Sequence, residues 1–257
     1  MTGAPTLACE AAFRSGAGIV YLLCPQELLP SLAAKLTETI MIPLPSEEGR
    51  LGASAAEPAA RFAEGRDVVL VGPGLTARMG VRELVERLLA LPNALVVDAD
   101  ALNVLEGEPE RLASRPGPTI ITPHPGELGK LLSRSSAEIQ ADRLGSAREA
   151  AERTGAVVIL KGARSLIVSP DGRVTICPWG NAGMASAGTG DVLAGALAGL
   201  WAQGLSPRDA AVLSVCLHAL AGDLAATEFT QYSLMASDLV DYLPKALKRL
   251  QTTSLSP

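Results

Sequence analysis

The sequence predicts one α/β domain over residues 1–257, built on a parallel sheet covered by helices. Three observations carry this. Short apolar runs rich in Val and Ile alternate with helical patterns along the chain. Residues are 48% hydrophobic but only 3% aromatic, so Ala, Val, Leu and Ile fill the core, a usage suited to strands buried on both faces. No internal repeat, low-complexity tract or interdomain linker interrupts the 257 residues.

The elements follow in order. Residues 3 to 16 read as a helix stopped by Gly16, a glycine suited to the left-handed C-cap. A strand is expected at Ile19 to Leu23, a helix started by Pro25, and a strand around Thr39 to Ile42. Residues 43 to 54, rich in Pro, Gly and Ser, read as a surface loop. A short helix ends near Gly65, and Asp67 to Val71 is a continuous apolar strand running into Gly72-Pro73-Gly74. From Ala77 to Ala90, apolar Val81, Leu84, Val85, Leu88 and Leu89 fall at helical spacing. Leu95 to Asp98 is the next strand, and Ala99 to Asn103 opens a helix.

Strand Thr119 to Ile121 leads through Thr122-Pro123-His124-Pro125-Gly126-Glu127 into another helix. Residues 136 to 154 read as one long amphipathic helix, and Ala156 to Leu160 as a buried strand ending in Lys161 to Ser165. Two strands pair across Pro170-Asp171-Gly172-Arg173, whose Asp-Gly is a hairpin signal. Beyond the small-residue loop 181 to 191, three helices complete the chain, split near Ser206-Pro207 and Ser237-Asp238.

Composition excludes several functions. A net charge of −5, with no basic cluster interleaved with aromatics, argues against a nucleic-acid partner. No apolar run free of charges or turn signals reaches the roughly 18 residues of a membrane span, and no basic n-region marks a secretion signal. Cys9, Cys24, Cys177 and Cys216 are scattered without ligand spacing, so they are expected to be buried thiols in a reducing cytoplasm.

In parallel sheets with right-handed crossovers, ligands bind beyond the carboxyl ends of the strands. Gly72-Pro73-Gly74, Asp98 to Asn103, His124 to Glu127, Lys161 to Ser165 and the loop from Asn181 to Asp191 all fall there. Gly188-Thr189-Gly190-Asp191 opens an Ala/Leu helix, so bare amides and the helix dipole face any phosphate or oxyanion. Asp191 is either a cap or a base that takes a proton from a hydroxyl meeting a phosphoryl group. Gly72-Pro73-Gly74 fits a tight βα turn as well as close ligand approach, and its spacing to Gly80 does not make a dinucleotide fingerprint. Asp98, Asp100 and Asn103 fit a strand end with a helix cap as well as a site. His124, between two prolines, favours ligand contact, whereas Glu127 fits a first-turn carboxylate. Lys161-Gly162 places a cation and bare amides near a phosphate without being a Walker A loop. His218 reads as a core or interface histidine, and Trp179 and Trp201 as packing residues.

With these motifs in order, the chain resembles the ADP/ATP-dependent NAD(P)H-hydrate dehydratases of the ribokinase-like superfamily. The resemblance rests on Gly3-Ala4-Pro5, Ser15 to Gly18, Val71 to Leu75, Asp98 to Asn103, Thr122 to Glu127, Leu160-Lys161-Gly162 and Asn181 to Gln203. Gly-Thr-Gly-Asp marks only the superfamily, whereas Met184-Ala185, His-Pro-Gly-Glu and Asp-Ala-Asp-Ala-Leu-Asn are specific to this branch. The fold so implied is a three-layer α/β/α sandwich with a mostly parallel central sheet.

The resemblance implies that Asp191 is the catalytic base and touches the hydrated nicotinamide. Gly74 and His124 would contact this NAD(P)HX substrate, with Asn103 and Glu127 in the same pocket and Ala12 a further contact. Lys161, Gly162, Ala163, Arg164 and Ser165, with Gly188, Thr189 and Gly190, would hold ADP or ATP. Mg²⁺ would ride on the nucleotide phosphates without a protein cage of its own, and the molecule would be a cytoplasmic homotetramer working beside a separate NAD(P)HX epimerase. The implied reaction is phosphoryl-driven dehydration of S-NAD(P)HX to NAD(P)H; the alternatives are a vitamin-precursor kinase on the same fold and a nucleotide-binding module without turnover. Two departures stand out. The family's first strand and Gly-rich turn have no counterpart ahead of Gly3, and Trp179-Gly180-Asn181-Ala182-Gly183 stands where an Asn-Pro-Gly loop is usual.

Overall fold

The computed structural model describes residues 1–76 and 80–253. Helix α1 (Gly3–Arg14) leads to β1 (Tyr21–Pro25), a 3-10 turn at Gln26–Leu28, α2 (Leu29–Ala33), β2 (Ile40–Leu44) and α3 (Ala53–Ala63). Then come β3 (Val68–Val71), α4 (Val81–Leu89), β4 (Ala94–Val97), α5 (Ala99–Asn103), α6 (Glu110–Ala113), β5 (Thr119–Ile121) and α7 (Pro125–Leu131). Helices α8 (Ser136–Ala141) and α9 (Arg143–Thr154) precede β6 (Val157–Leu160), β7 (Leu166–Val168) and β8 (Val174–Ile176). A 3-10 turn at Ala182–Met184 and helices α10 (Thr189–Trp201), α11 (Pro207–Phe229) and α12 (Ala236–Thr253) complete the described chain.

The main sheet runs β3-β4-β5-β6-β7-β8. Its first four strands are parallel, and β7 and β8 are antiparallel, closing on the Asp-Gly hairpin expected from sequence. Alternation along each buried strand separates two apolar layers. Leu95, Val97, Ile121, Val158 and Leu160 face the layer containing α3, α4, α7 and α9. Val96, Ile120, Val157 and Ile159 face α10 and α11 through Leu193, Leu197, Trp201 and Val215. The three-layer α/β/α sandwich is therefore present, and α1 and α12 pack outside α10.

Glycine sets one of these contacts. A Cβ on Gly195 would stand 2.1 Å from the Ala8 carbonyl oxygen, and one on Gly199 2.4 Å from that of Ala12. The Ala8/Ala12 and Gly195/Gly199 pairs, each one helical turn apart, thus let α1 and α10 touch backbone to backbone.

Several expectations need correction. The strand placed at Ile19 to Leu23 begins at Tyr21, because Ser15 to Gly18 still turn the chain after α1, and Ile19 is exposed. The loop expected over 43 to 54 gives its ends to β2 and α3. Residues 136 to 154 form two helices, because Asp142 (φ −137°, ψ 74°) leaves the helical region and its carboxylate caps α9 at the Gly145 amide. The start of the helix expected from Ala77 lies outside the described residues. Helix α11 is long and apolar enough to cross a membrane by length and composition, although its longest stretch free of charges, between Asp209 and Asp223, stays short of the run excluded from sequence. Over half of its apolar stretch is buried, against β6 and between α10 and α12, as a core helix requires.

Strands β1 and β2 form a separate parallel pair. Neither hydrogen-bonds to β3, and a cavity of about 590 Å³ lies between the free edges of β1 and β3, lined also by α1, α3, α4 and α10.

Candidate active site

The carboxyl ends of β3 to β6 are locked side by side by main-chain bonds that continue the ladder. The Asp98 amide donates to the Val71 carbonyl (3.1 Å), that of Thr122 to Val97 (3.1 Å) and that of Lys161 to Pro123 (2.9 Å). Gly72 (φ 128°) allows this approach, since a Cβ there would meet the Asp98 carbonyl oxygen at 1.7 Å. Gly72-Pro73-Gly74 is therefore first of all a tight βα turn. Gly74 faces a small pocket shared with Met1, Pro5 and Arg50.

A buried charge cluster stands on this ladder. Asp98, 1% exposed, accepts from Thr122 Oγ1 at 2.7 Å and from Lys161 Nζ at 2.7 Å. It occupies the N-cap position of α5 but makes no side-chain cap bond, so the cap reading fails for it. Lys161 also lies 3.6 Å from Glu127 Oε2. Burial works against the lysine charge, and the neighbouring carboxylates Asp98 and Glu127 outweigh it, so its pKa is raised and it stays cationic. Asp100 and Asn103 sit apart from this cluster in a surface chain. Asp100 accepts from the Thr76 amide (2.9 Å) and from Asn103 Nδ2 (3.2 Å), and Lys130 donates to Asn103 Oδ1 (3.0 Å).

His124 is held as a cap. Its Nδ1 accepts from the amides of Gly126 (3.0 Å) and Glu127 (3.2 Å), while Glu127 Oε2 accepts from the His124 amide (2.8 Å). Such a capping box fixes the ring as the Nε2-protonated tautomer. The His124 side chain remains 56% exposed, so Nε2 is accessible to a ligand on the site side, although it also lies 3.4 Å from Glu127 Oε1. Glu127 is not merely a first-turn charge: it is buried and joins His124 to Lys161.

The Gly188-Thr189-Gly190-Asp191 turn arrives over Lys161, whose Nζ would stand 3.4 Å from a Cβ on Gly190. Gly188 (φ 93°) takes the left-handed conformation that swings the chain into α10. Thr189 Oγ1 donates to the carbonyls of Met184 and Ser186, both at 2.9 Å, so its hydroxyl braces the loop, and its amide makes a longer contact to the Ser186 carbonyl (3.5 Å). Asp191 lies in the first turn of α10, whose N-cap position is Gly188, a residue with no side chain to cap it. Desolvation, then repulsion from Asp98 and Glu127, raises its pKa to about 6 against the opposing pull of Lys161. A carboxylate so poised, at a helix N-terminus beside a lysine, is a competent general base near neutrality.

After Lys161 the chain makes an exposed turn at Gly162 to Arg164. Ser165 Oγ donates to the Gly162 carbonyl (3.0 Å), Arg164 has φ 54°, and Arg143 donates to the carbonyls of Ala163 (3.2 Å) and Leu160 (3.3 Å). Ala12 is elsewhere: it is buried at the α1–α10 contact and lines the cavity between β1 and β3. The structure thus brings together Glu127, Lys161, Gly190 and Asp191, with His124 adjoining. Asn103 hangs on the neighbouring surface chain, and Ala12 is not joined to the cluster. Asp98 and Thr122 also belong to the core of the site; the sequence left Asp98 open between cap and site and gave Thr122 no role of its own. A charged residue closing the apolar run Leu95-Val96-Val97, in register with Thr122 after Ile121, was the available signal.

Residues 1–245 match the sequence profile of the carbohydrate-kinase-type family described as NAD(P)H-hydrate dehydratase. The chain belongs to the NAD(P)H-hydrate dehydratase family. A bifunctional NAD(P)H-hydrate repair enzyme Nnr from Moorella thermoacetica is 46% identical over 253 residues, which cover 98% of this chain and 48% of that protein. The chain spans about half the length of the curated relatives it matches. Among solved structures, the ADP/ATP-dependent NAD(P)H-hydrate dehydratase from Bacillus subtilis, co-crystallised with ATP and Mg²⁺, superposes with a TM-score of 0.83 at 30% identity, covering 97% of this chain and 85% of that one. The ribokinase-like fold of the dehydratase family is thereby shown. A hydroxyethylthiazole kinase from Pyrococcus horikoshii, 20% identical with a TM-score of 0.60 over 93% of this chain and 92% of that one, shares the fold alone.

Proposed function

We propose that the chain catalyses ADP- or ATP-dependent dehydration of the S-epimer of hydrated NADH or NADPH. The observation that carries this is Asp191: partly desolvated, with a pKa near 6, in the first turn of α10 and within the electrostatic reach of Lys161. In the first step Asp191 takes the proton of the C6 hydroxyl. The freed oxygen attacks the terminal phosphorus of the nucleotide, and the bond to its bridging oxygen breaks to release AMP from ADP, or ADP from ATP. The amides of Gly188, Thr189 and Gly190 and the Lys161 ammonium face the charge that develops on the phosphoryl oxygens. Phosphate then leaves C6 with its electron pair and a proton leaves C5, restoring the reduced nicotinamide and releasing inorganic phosphate.

In this reading His124 Nε2–H donates to the substrate, and Lys161 with the turn that follows it through Ser165 receives the nucleotide. Mg²⁺ enters with the nucleotide as part of the co-substrate. Among the described residues no group of three metal-ligating side chains exists, and Asp98 is already engaged by Lys161 and Thr122, so a resident ion does not fit. By the same resemblance we read the molecule as a cytoplasmic homotetramer that receives its S-epimer from a separate epimerase activity. Incubation of the purified chain with S-NAD(P)HX, Mg²⁺ and either nucleotide tests the reaction. Recovery of reduced-nicotinamide absorbance with stoichiometric phosphate supports it, and a stable phosphorylated product without recovery would make the protein a kinase instead.

A further inference from the structure

Contacts at three points along its length connect the loop that carries the reaction to one stretch of α11, and nothing in the proposed chemistry requires them to be there. Asp223 accepts from the Gly180 amide (2.9 Å) through one carboxylate oxygen and from Asn181 Nδ2 (3.0 Å) through the other. Asn181 Nδ2 also donates to the Gly222 carbonyl (3.0 Å), while its Oδ1 accepts from the Gly183 amide (3.0 Å) and so sets the following 3-10 turn. One residue back, Gly222 leaves room for Met184, whose Sδ would be 2.4 Å from a Cβ at that position. One turn earlier, buried His218 meets the Thr189 carbonyl through Nε2 at 2.9 Å.

His218 is neutral in this setting. Desolvation pushes its pKa down to about 4, more than the bond to Thr189 raises it. With a carbonyl as its partner, Nε2 must carry the proton and donate. Thr189 in turn grips the Met184 and Ser186 carbonyls through its hydroxyl. The loop is therefore pinned at its start by Asp223, at its middle by Met184 against Gly222, and at its end by His218 through Thr189. Between these pins lie residues 185–188, small residues with little side chain to hold them in place.

We propose that Asp223 and His218 are positioning residues for the reaction: α11 clamps the loop from Gly180 to Thr189 so that the amides of Gly188 to Gly190 and the Asp191 carboxylate meet the phosphoryl group in register. The role rests on the function proposed above, because it presumes that these amides receive a phosphoryl group. Neither side chain touches substrate. Their effect falls on rate, since displacement of about 1 Å in such a cradle costs on the order of 100-fold in turnover, while the nucleotide retains its contacts with Lys161 to Ser165.

Four variants in the full chain test the clamp: Asp223→Ala, Asp223→Asn, His218→Leu and His218→Gln. Hydrogen exchange reads the clamp without reference to activity. Exchange over residues 180–189 is expected to rise about tenfold or more in Asp223→Ala and His218→Leu, with β4 to β6 unchanged. In turnover, kcat is expected to fall about 100-fold in both, with the Kd for ADP by calorimetry shifted less than about threefold. His218→Gln, whose amide can donate to Thr189, is expected to recover most of that rate, and Asp223→Asn, which retains one oxygen acceptor, to fall between. If the Ala and Leu variants do not fold, the Asn and Gln variants carry the same comparison. Unchanged loop exchange, an unchanged kcat, or a glutamine variant as slow as the leucine one at equal Tm would overturn the clamp. A wild-type chain that never regenerates reduced nicotinamide would refute the function instead, and loop exchange would still decide the clamp.

Discussion

Replacing Asp191 with Asn is expected to cut turnover by orders of magnitude and at the same time stabilise the fold. The folded pKa of about 6 against an ordinary 3.8 means that folding disfavours the ionised form by about two pH units. At roughly 1.4 kcal/mol per unit, the limit is about 3 kcal/mol. Asp191 is only partly buried and sits in the first turn of α10, where the helix dipole favours its charge, so about 1–2 kcal/mol is the expected gain. The sign follows from linkage. Wild-type stability falls as pH rises from about 4 through about 6, where the folded chain holds a proton that the unfolded chain has lost. The Asn variant carries no charge to bury, so its advantage is absent below pH 4 and complete above pH 6. Urea titrations near pH 8 and near pH 4 read this directly, and at high pH the variant's Tm should rise by about 3–6 °C. In parallel, kcat should fall by a factor of about 100 to 10,000. A variant less stable than wild type at pH 8 would mean that the carboxylate serves as a helix cap, and the base would have to be sought elsewhere.

Further outcomes follow from the same cluster. Below about pH 6, kcat/KM should fall tenfold per pH unit as Asp191 takes up its proton, and a profile flat to pH 5 would contradict the assigned base. Lys161→Met leaves Asp98, 1% exposed, without its cation and should cost about 3–5 kcal/mol in denaturant titration as well as activity. Gly72→Ala forces a Cβ to 1.7 Å from the Asp98 carbonyl at φ 128°, so it should destabilise by about 3 kcal/mol or more and yield little folded protein.

Much of this was legible in the sequence because it is written in local chemistry. Apolar runs such as Val68 to Val71 and Val157 to Leu160 announce strands buried on both faces, and the Asp-Gly at 171–172 announces the hairpin. The polar residues closing those runs then collect at one sheet edge, as parallel topology demands. What sequence could not supply were the pairings. Asp98 could be a cap or part of a site until the register of β4 and β5 set it beside Thr122 and the end of β6 gave it Lys161. Helix 136 to 154 looked continuous because its amphipathic period runs through Asp142, and only the backbone turn there divides it. Cys177 and Cys216 looked unrelated, yet a hydrogen bond between the Cys216 thiol of α11 and Cys177, just beyond β8, draws the Cys177 pKa down. His218 was placed correctly in the core, but its bond to Thr189 crosses 29 residues and leaves no trace in spacing.

The most direct measurement is a single-turnover reaction of S-NADHX with ADP and Mg²⁺, comparing the wild-type chain with Asp191→Asn at matched nucleotide occupancy. Catalysis by Asp191 requires a burst of NADH with one equivalent each of phosphate and AMP in the wild type, and none in the variant although it still binds ADP. Equal bursts from both proteins, or nucleotide consumption without NADH, would contradict it.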